Sequence, residues 1–187
     1  MAKQKLDEQT IVLEALKLFR SKSYHTTSMA DIAKSCGILK GSLYHYFSSK
    51  EELMMKVIQM VHDFFKEEVF SIAYNNEIDV YTRMKKMMAR AEKIFIDQET
   101  GNVDGNIGVE TALVIPDFRP IIQAFFADFI DAIKHLYLSE FDKEKANELA
   151  IRAVSEIEGA LMLSRVFNDK KYLEKTLKRL IKRIEKN

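Results

Sequence analysis

Hydrophobic and polar residues along this chain recur with the 3.6-residue period of α-helices. In the first periodic segment, about residues 7–21, Ile11, Ala15 and Phe19 share one face. No segment shows sustained period-two alternation, so we predict an all-α chain of about nine helices and no sheet. The predicted helices cover about residues 7–21, 28–35, 40–46, 49–73, 79–97, 105–114, 117–140, 143–167 and 169–185.

Turn-forming residues separate the second and third of these helices from their neighbours. Ser28 and Asp31 have the spacing of a capping box, in which both side chains satisfy free backbone N–H groups. Gly37 can take a left-handed backbone conformation, so we expect a tight turn over Cys36–Ile38. Two short helices joined by such a turn have the shape of a helix-turn-helix, although that shape alone is weakly specific.

The residue pattern across this unit is more specific than its shape. It reads TTSMADIA over 26–33, GI at 37–38, KGSLYHYF over 40–47 and SKEEL over 49–53. This ordered pattern resembles the TetR family of repressors, strongly over about residues 8–56 and more loosely, through helix number and length, over the rest. The resemblance implies a three-helix DNA-binding head at residues 1–48 on a larger helical effector-binding and dimerisation body at residues 49–187.

A short third helix can enter the major groove of DNA with its N-terminal end first. Lys40 can reach a guanine edge or a phosphate, and Gly41 lets the backbone lie close to DNA. Hydroxyl groups, a histidine N–H and a lysine at a helix start suit phosphate contacts. Each residue taken alone could instead be a half-buried aromatic, a solvated charge or a helix cap. Together they predict a DNA-binding set of Thr27, Ser28, Leu39, Lys40, Gly41, Ser42, Tyr44, His45, Tyr46 and Lys50.

Three residues depart from the family pattern. Ser23 stands where the family usually has glycine, so that turn must tolerate a side chain. Cys36 replaces the usual alanine, and we interpret it as a small hydrophobic residue rather than a redox sensor. Leu39 stands where a small hydroxyl residue often caps the recognition helix, and its apolar side chain could instead meet a thymine methyl group. Base preference should therefore differ most at the start of this helix.

The last two predicted helices fit the four-helix dimer bundle that the family resemblance implies. A stripe of small residues in the first permits close helix packing, and leucines recur in the second. We predict a dimer interface of Ala150, Ala153, Ile157, Ala160, Leu173, Leu177 and Leu180. The alternative for the basic last helix is binding to a membrane surface, although Tyr172 is its sole aromatic anchor.

The middle helices are rich in methionine and phenylalanine, which suit an adaptable apolar cavity. Each of these residues alone could equally belong to the core. The family resemblance implies a small-molecule effector in this region. We predict an effector site of Phe64, Met84, Met88, Phe95, Glu110, Phe125 and Phe129.

Charge and composition narrow the remaining function classes. Net charge is +1, but residues 1–50 hold eight basic and four acidic residues, a local charge of +4 that leaves −3 for the rest. A basic head fits a chain that contacts phosphate at one end. No apolar run is long enough to span a membrane, and the N-terminal residues lack a signal core. The single cysteine, Cys36, suits a reducing cytoplasm.

We therefore expect a ligand-responsive transcriptional regulator, a repressor that a small hydrophobic effector releases from a near-palindromic operator bound by a homodimer. A helical enzyme is the main alternative. The four histidines lack metal-ligand spacing, and no nucleotide loop or nucleophile motif is present, so we expect neither catalysis nor a cofactor or metal. A second alternative is a protein-binding helical module with a vestigial helix-turn-helix.

Overall fold

The computed structural model of the chain describes residues 7–96 and 115–184. All regular structure within these residues is helical, as predicted, whereas the helix predicted at about 105–114 lies outside them. Two 3₁₀-helices cover Phe70–Tyr74 and Pro116–Phe118. The eight α-helices of the described residues are α1 (Glu8–Lys22), α2 (Met29–Ser35), α3 (Lys40–Tyr44), α4 (Lys50–Glu68), α5 (Val80–Ile96), α6 (Arg119–Tyr137), α7 (Lys143–Val166) and α8 (Lys171–Lys182).

The described residues form two compact units. The head unit comprises residues 7–61 and 115–122, and the body unit comprises residues 62–96 and 123–184. The head unit thus extends beyond residue 48, where the sequence placed the boundary between the two domains. It includes the first three turns of α4, whose Leu53, Met54 and Val57 are fully buried.

The 3₁₀-helix at Pro116–Phe118 also belongs to the head unit. The buried ring of Phe118 meets the ring of Tyr24 edge-on, with 6.0 Å between their centroids. Tyr24 in turn lies 5.5 Å from Phe19 of α1. A segment distant in sequence therefore completes the aromatic part of the head core.

The turn after α1 has the strained backbone that its sequence implies. Ser23 ends the helix with φ 74° and ψ 160°, a combination that residues other than glycine rarely adopt. Its N–H donates to the Phe19 carbonyl oxygen at 3.0 Å. Ser23 therefore has a conformation that glycine adopts with less strain, which agrees with the glycine that the family usually has at this position.

The body unit departs from the sequence prediction where α4 ends. The periodicity predicted one helix over 49–73, but α4 stops at Glu68 because Val69 leaves helical geometry, with φ −122° and ψ −59°. The Ile72 N–H then donates to the Val69 carbonyl oxygen at 3.2 Å, the tighter pattern of a 3₁₀-helix. The change of direction buries Phe70, whose ring stacks on Phe129 at 5.2 Å.

Helices α7 and α8 pack against each other within the body unit. The chain reverses between them at Asn168, whose φ of 49° is left-handed, and the Asp169 N–H closes the end of α7 on the Ser164 carbonyl oxygen. Glu156 of α7 accepts hydrogen bonds at 2.8 Å from both Arg179 and Arg183. These bonds tie α7 to the C-terminal part of the chain.

The predicted dimer interface is wrong for all of its residues. Each is at most 5% exposed within the single chain, because the alanines of α7 let the leucines of α8 approach closely. A side chain with so little accessible surface has almost nothing to present to a second copy. The buried set is Ala150, Ala153, Ile157, Ala160, Leu173, Leu177 and Leu180.

Candidate DNA-binding interface

The turn between α2 and α3 is built as the sequence indicated. Ser28 caps α2 in a reciprocal capping box: the Asp31 N–H donates to Ser28 Oγ at 3.2 Å, and the Ser28 N–H donates to Asp31 Oδ2 at 2.9 Å. Gly37 has φ 66°, and the following Ile38 N–H donates to the Ala33 carbonyl oxygen at 3.0 Å. A left-handed residue closed in this way ends α2 and directs the chain into α3.

The recognition helix α3 has one buried and one exposed face. Leu43 and the following Phe47 are buried and hold α3 in the head. The α-helix ends at Tyr44 rather than Tyr46, since the Tyr46 N–H donates to the Leu43 carbonyl oxygen in a tighter turn. Ser42 and Tyr46 are half-buried. The exposed face consists of Leu39, Lys40, Gly41, Tyr44 and His45.

The exposed face of α3 combines a cation with an aromatic ring. Lys40 Nζ lies 5.8 Å from the centroid of the Tyr44 ring, a weak cation–π arrangement that keeps both groups at the surface. The Tyr44 hydroxyl and the Lys40 ammonium are groups that donate hydrogen bonds to phosphate oxygens or base edges. The face thus presents the chemistry that contact with DNA requires.

Gly41 has no role inside the head that requires a glycine. A Cβ added at this position would meet no atom within 4 Å, and the backbone has no left-handed angle there. A glycine inside a helix is nevertheless about 1 kcal/mol less stable than an alanine. The described structure of the head therefore gives no reason for a glycine at this position.

The prediction that Thr27 contacts phosphate is wrong. Thr27 is only 1% exposed, and its hydroxyl donates to the Ser23 carbonyl oxygen at 2.7 Å. Ser28 is exposed, but its hydroxyl donates to the Asp31 carboxylate and completes the capping box. Both hydroxyls hold the entry to α2, because short polar side chains satisfy backbone groups as readily as they bind phosphate.

Lys50 is held by contacts within the head, and its predicted contact with phosphate stays a prediction. Its ammonium donates to the carbonyl oxygens of Tyr24 and Thr27, at 2.9 and 3.1 Å, and lies 4.2 Å from the Tyr24 ring centroid. The Tyr24 hydroxyl donates to Glu51 Oε1 at 3.0 Å. The start of α4 is thus fixed to the turn between α1 and α2.

The sequence interpretation missed Tyr24 and Glu51. Burial, followed by the bond to Glu51, raises the pKa of the Tyr24 hydroxyl, which therefore stays a donor. The pKa of Glu51 is lowered, chiefly by its own backbone N–H. A large aromatic residue within a turn of small polar residues was the available signal. Burial likewise raises the pKa of the Cys36 thiol, which agrees with its interpretation as unreactive.

In the body unit, five of the predicted effector-site residues are buried together. They are Met84, Met88, Phe95, Phe125 and Phe129. Phe65, which the sequence interpretation left out, joins them: its ring lies 5.6 Å from Phe95 and 5.4 Å from Phe125. The placement of Phe64 in an interior site is wrong, since it is 40% exposed and lies under Arg90 on the surface. Glu110 lies outside the described residues.

A polar cluster lies beside these rings. His62 Nε2 and Asp128 Oδ2 are 2.9 Å apart, and Lys66 Nζ is 3.2 Å from the same oxygen. Burial favours a raised pKa for Asp128, but the bonds from His62 and Lys66 outweigh it and hold the pKa of the carboxyl below its ordinary value. The His62 ring also meets Phe125 edge-on at 5.7 Å. The cluster joins α4 to α6 at the border of the aromatic core.

Residues 7–96 and 115–184 contain no group of three histidine, cysteine or acidic side chains placed to hold a metal ion. Among the helices in these ranges, none combines the length and hydrophobicity needed to cross a lipid bilayer.

Comparison with known proteins agrees with this architecture. The family model described as bacterial regulatory proteins, tetR family, matches residues 11–57. A second model, the C-terminal domain of LmrA/YxaF-like transcriptional regulators, matches residues 82–179, more than half of the chain. The HTH-type transcriptional regulator YxaF of Bacillus subtilis is 29% identical over 167 residues, which cover 87% of this chain and 86% of YxaF.

Two further similarities concern a part of the chain and the whole fold. The Staphylococcus epidermidis protein IcaR, a negative transcriptional regulator of the biofilm operon icaADBC, is 38% identical over 55 residues, 29% of this chain and 30% of IcaR. The crystal structure of a TetR transcriptional regulator from Legionella pneumophila superposes with a TM-score of 0.82 at 24% identity, covering 96% of this chain and 97% of that one. These homologues are regulators rather than enzymes. The chain belongs to the TetR family of DNA-binding transcriptional regulators.

Proposed function

We propose that the protein is a cytoplasmic repressor that a small hydrophobic effector releases from a near-palindromic operator. The proposal of a hydrophobic effector rests on the residues in the interior of the body unit. Phenylalanine rings and flexible methionines are concentrated there, among them Phe125, Phe129 and Met88. Such side chains can rearrange around an apolar ligand. The similarity of a 55-residue part of the chain to IcaR, a negative regulator, supports the proposed role as a repressor.

We infer that the operator contacts come from the exposed face of α3. Lys40, Tyr44 and His45 are accessible and carry groups that bind phosphate or base edges. Gly41 permits the backbone to approach the DNA. Ser42 and Tyr46, which are half-buried, remain proposed contacts at the margin of this face.

The proposed homodimer uses a different face of α7 from the one predicted. Ile151, Ser155, Gly159, Met162 and Val166 recur at helical spacing along the outside of α7 and are termed the α7 stripe. Met162 is 59% and Val166 71% exposed, which is unusual for side chains of this kind. The stripe supports packing against the α7 of a second copy, with two heads on one operator.

The proposed switch acts through α4, which contributes residues 50–61 to the head unit and 62–68 to the body unit. Effector bound among the body-unit rings would shift α4 through its contacts there, such as the His62–Asp128 pair. Both heads must fit the operator at the same time, so a change in α4 lowers affinity for DNA. The effector can weaken DNA binding at most by the ratio of its affinities for the released and the DNA-binding conformations of the protein.

Three successive measurements test this proposal. Fragments of the source genome that the purified protein retains define the operator. In vitro transcription from a promoter that carries the operator should then fall as protein is added, whereas a rise would show an activator. A panel of fatty acids and aromatic acids is finally titrated into the protein–operator complex. At least one should release the DNA, and a regulator insensitive to every compound contradicts control by a hydrophobic effector.

Lysine substitutions test the assignment of the contacts to α3. We expect Lys40→Ala to weaken operator binding about tenfold, since a lost contact to a base or phosphate costs about 1–3 kcal/mol. Lys175→Ala removes an exposed lysine from α8 and serves as the charge-matched control. Equal affinity of the two variants would contradict contact through α3.

A further inference from the structure

Leu39 has the most exposed large hydrophobic side chain in the described part of the chain. It is 77% exposed, although it adjoins the well-packed residues Leu43 and Phe47. Burying a leucine side chain stabilises a fold, and Leu39 gains little of this stabilisation within the head. The fold therefore does not account for a leucine at this position.

Leu39 is also a poor residue for the position that it occupies. It is the N-cap of α3, with φ −72° and ψ 147°, and makes no side-chain hydrogen bond to the free N–H groups of the helix. Serine, threonine, aspartate or asparagine at an N-cap stabilises a helix relative to an apolar residue. Local stability and burial thus both disfavour leucine, which indicates a role toward a partner.

The neighbours of Leu39 identify that partner as DNA. Lys40 and Gly41 follow directly on the same exposed face. Gly41 leaves space for a partner at the backbone, so a side chain one turn or less away lies close to whatever approaches. This inference rests on the contact between α3 and DNA proposed above.

The chemistry of leucine then selects one feature of the DNA. A leucine side chain gains nothing from a phosphate or from the donors and acceptors of base edges. The major groove offers one apolar group, the methyl group of thymine. We propose that Leu39 is a specificity-determining residue that contacts the methyl group of a thymine in each half of the operator.

Uracil in place of thymine tests this contact, because the two bases differ by that methyl group alone. Wild-type protein first selects its operator from a random pool of duplex DNA. Copies of the selected operator are then made with dU in place of dT at one symmetric pair of positions at a time. Dissociation constants are measured for the wild type, Leu39→Ala and Leu39→Ser, the last of which restores a capping hydroxyl and protects the fold. Leu13→Ala, which truncates another exposed leucine of the head unit, is the control.

Burying one methyl-sized group corresponds to about fourfold in affinity, so two half-sites should give about tenfold or more. We expect dU at one symmetric pair to weaken binding by this factor for the wild type and Leu13→Ala. The two Leu39 variants should bind the dT and dU operators equally. The proposal is overturned if the Leu39 variants retain the wild-type dU penalty. It is also overturned if no thymine of the selected operator shows such a penalty.

The same assay separates this inference from the broader proposal. Lys40→Ala should weaken binding to the dT and dU operators by the same factor. If Lys40→Ala binds like the wild type, α3 does not contact DNA, and the contact set fails together with the role of Leu39. If Lys40→Ala is impaired but the Leu39 variants keep the dU penalty, only the role of Leu39 fails.

Discussion

Ser23 holds a backbone conformation that glycine reaches with less strain. Its φ of 74° brings Cβ close to the backbone, which costs about 1 kcal/mol or more. We expect Ser23→Gly to stabilise the protein by about 1 kcal/mol and to raise Tm by about 2–4 °C. Thermal unfolding followed by circular dichroism measures this shift.

Ser21 provides the matched control for that substitution. It lies in the last turn of α1, where the backbone is helical, so Ser21→Gly should lower Tm instead. If both glycine substitutions lowered Tm, the strain assigned to Ser23 would be absent.

Gly41 is the residue at which stability and DNA binding should respond in opposite directions. Because an added Cβ meets nothing inside the chain, Gly41→Ala should stabilise the head by up to about 1 kcal/mol. The same methyl group would intrude between α3 and DNA, and overpacking of this kind costs about 1–3 kcal/mol, or roughly tenfold in affinity. Thermal unfolding and operator titration on one sample give both values. A more stable variant with unchanged affinity would place the DNA away from Gly41.

At the level of helices, the ionised Glu156 carboxylate, which accepts hydrogen bonds from Arg179 and Arg183, should make the stability of the fold depend on pH. Burial alone would raise the pKa of Glu156, but hydrogen bonds from Arg183 and Arg179 hold it at about 2, below the ordinary 4.5. A lowered pKa means that the charged form stabilises the fold. This contribution is complete above about pH 4.5 and is lost as the pH falls toward 2.

We expect Glu156→Gln to destabilise the protein by about 2 kcal/mol at neutral pH, because charge-assisted hydrogen bonds between α7 and α8 are lost. Tm should fall by about 4–8 °C. The difference between wild type and variant should shrink as the pH falls below 4.5. Glu148→Gln, which removes the ion pair with Lys145 within α7, is the control and should change Tm little. A difference independent of pH would show that the Glu156 charge does not stabilise the fold.

Helix existence could be predicted from sequence, whereas the partner of each helix face could not. Periodicity located all eight described α-helices, and Gly37 and Ser28 located the turn of the helix-turn-helix, because these signals are local. The end of α4 was missed, since the chain leaves helical geometry at Val69 and Phe70 stacks on Phe129, which is distant in sequence.

For the site residues, too, local features could be predicted from the sequence, whereas their contact partners could not. The predicted contact residues Lys40, Tyr44 and His45 are exposed, but Thr27 and Lys50 are bound to backbone carbonyls within the head. A hydroxyl or an ammonium satisfies a carbonyl as well as a phosphate, so residue type alone could not decide between them. The alanines of α7 likewise indicated close helix packing but not whether α8 or a second copy supplies the neighbour.

At the level of the whole molecule, the α7 stripe is an exposed surface that contacts within the described part of the chain do not explain. Gly159 lies in the interior of a helix of 24 residues, and in the described part of the chain no atom beyond its chain neighbours and the nearby backbone of its own helix lies within 4 Å of the position its Cβ would take. The glycine therefore lowers helix stability without helping α7 to pack inside the chain. Flanked by Ser155 and Met162, it would let the backbones of two α7 helices cross closely.

A charge placed on the α7 stripe should therefore separate the two copies. We expect Met162→Glu to shift the sedimenting species from twice the chain mass of 21.7 kDa to the chain mass itself, because a carboxylate buried between two apolar helices loses its hydration. Leu138→Glu introduces the same charge at an exposed leucine just after α6, outside the stripe, and this variant should remain a dimer. The monomer should also lose most of its operator affinity, since one head then binds without the second. A dimeric Met162→Glu protein would exclude the α7 stripe from the interface, whereas a monomeric form with full operator affinity would show that the two heads bind independently.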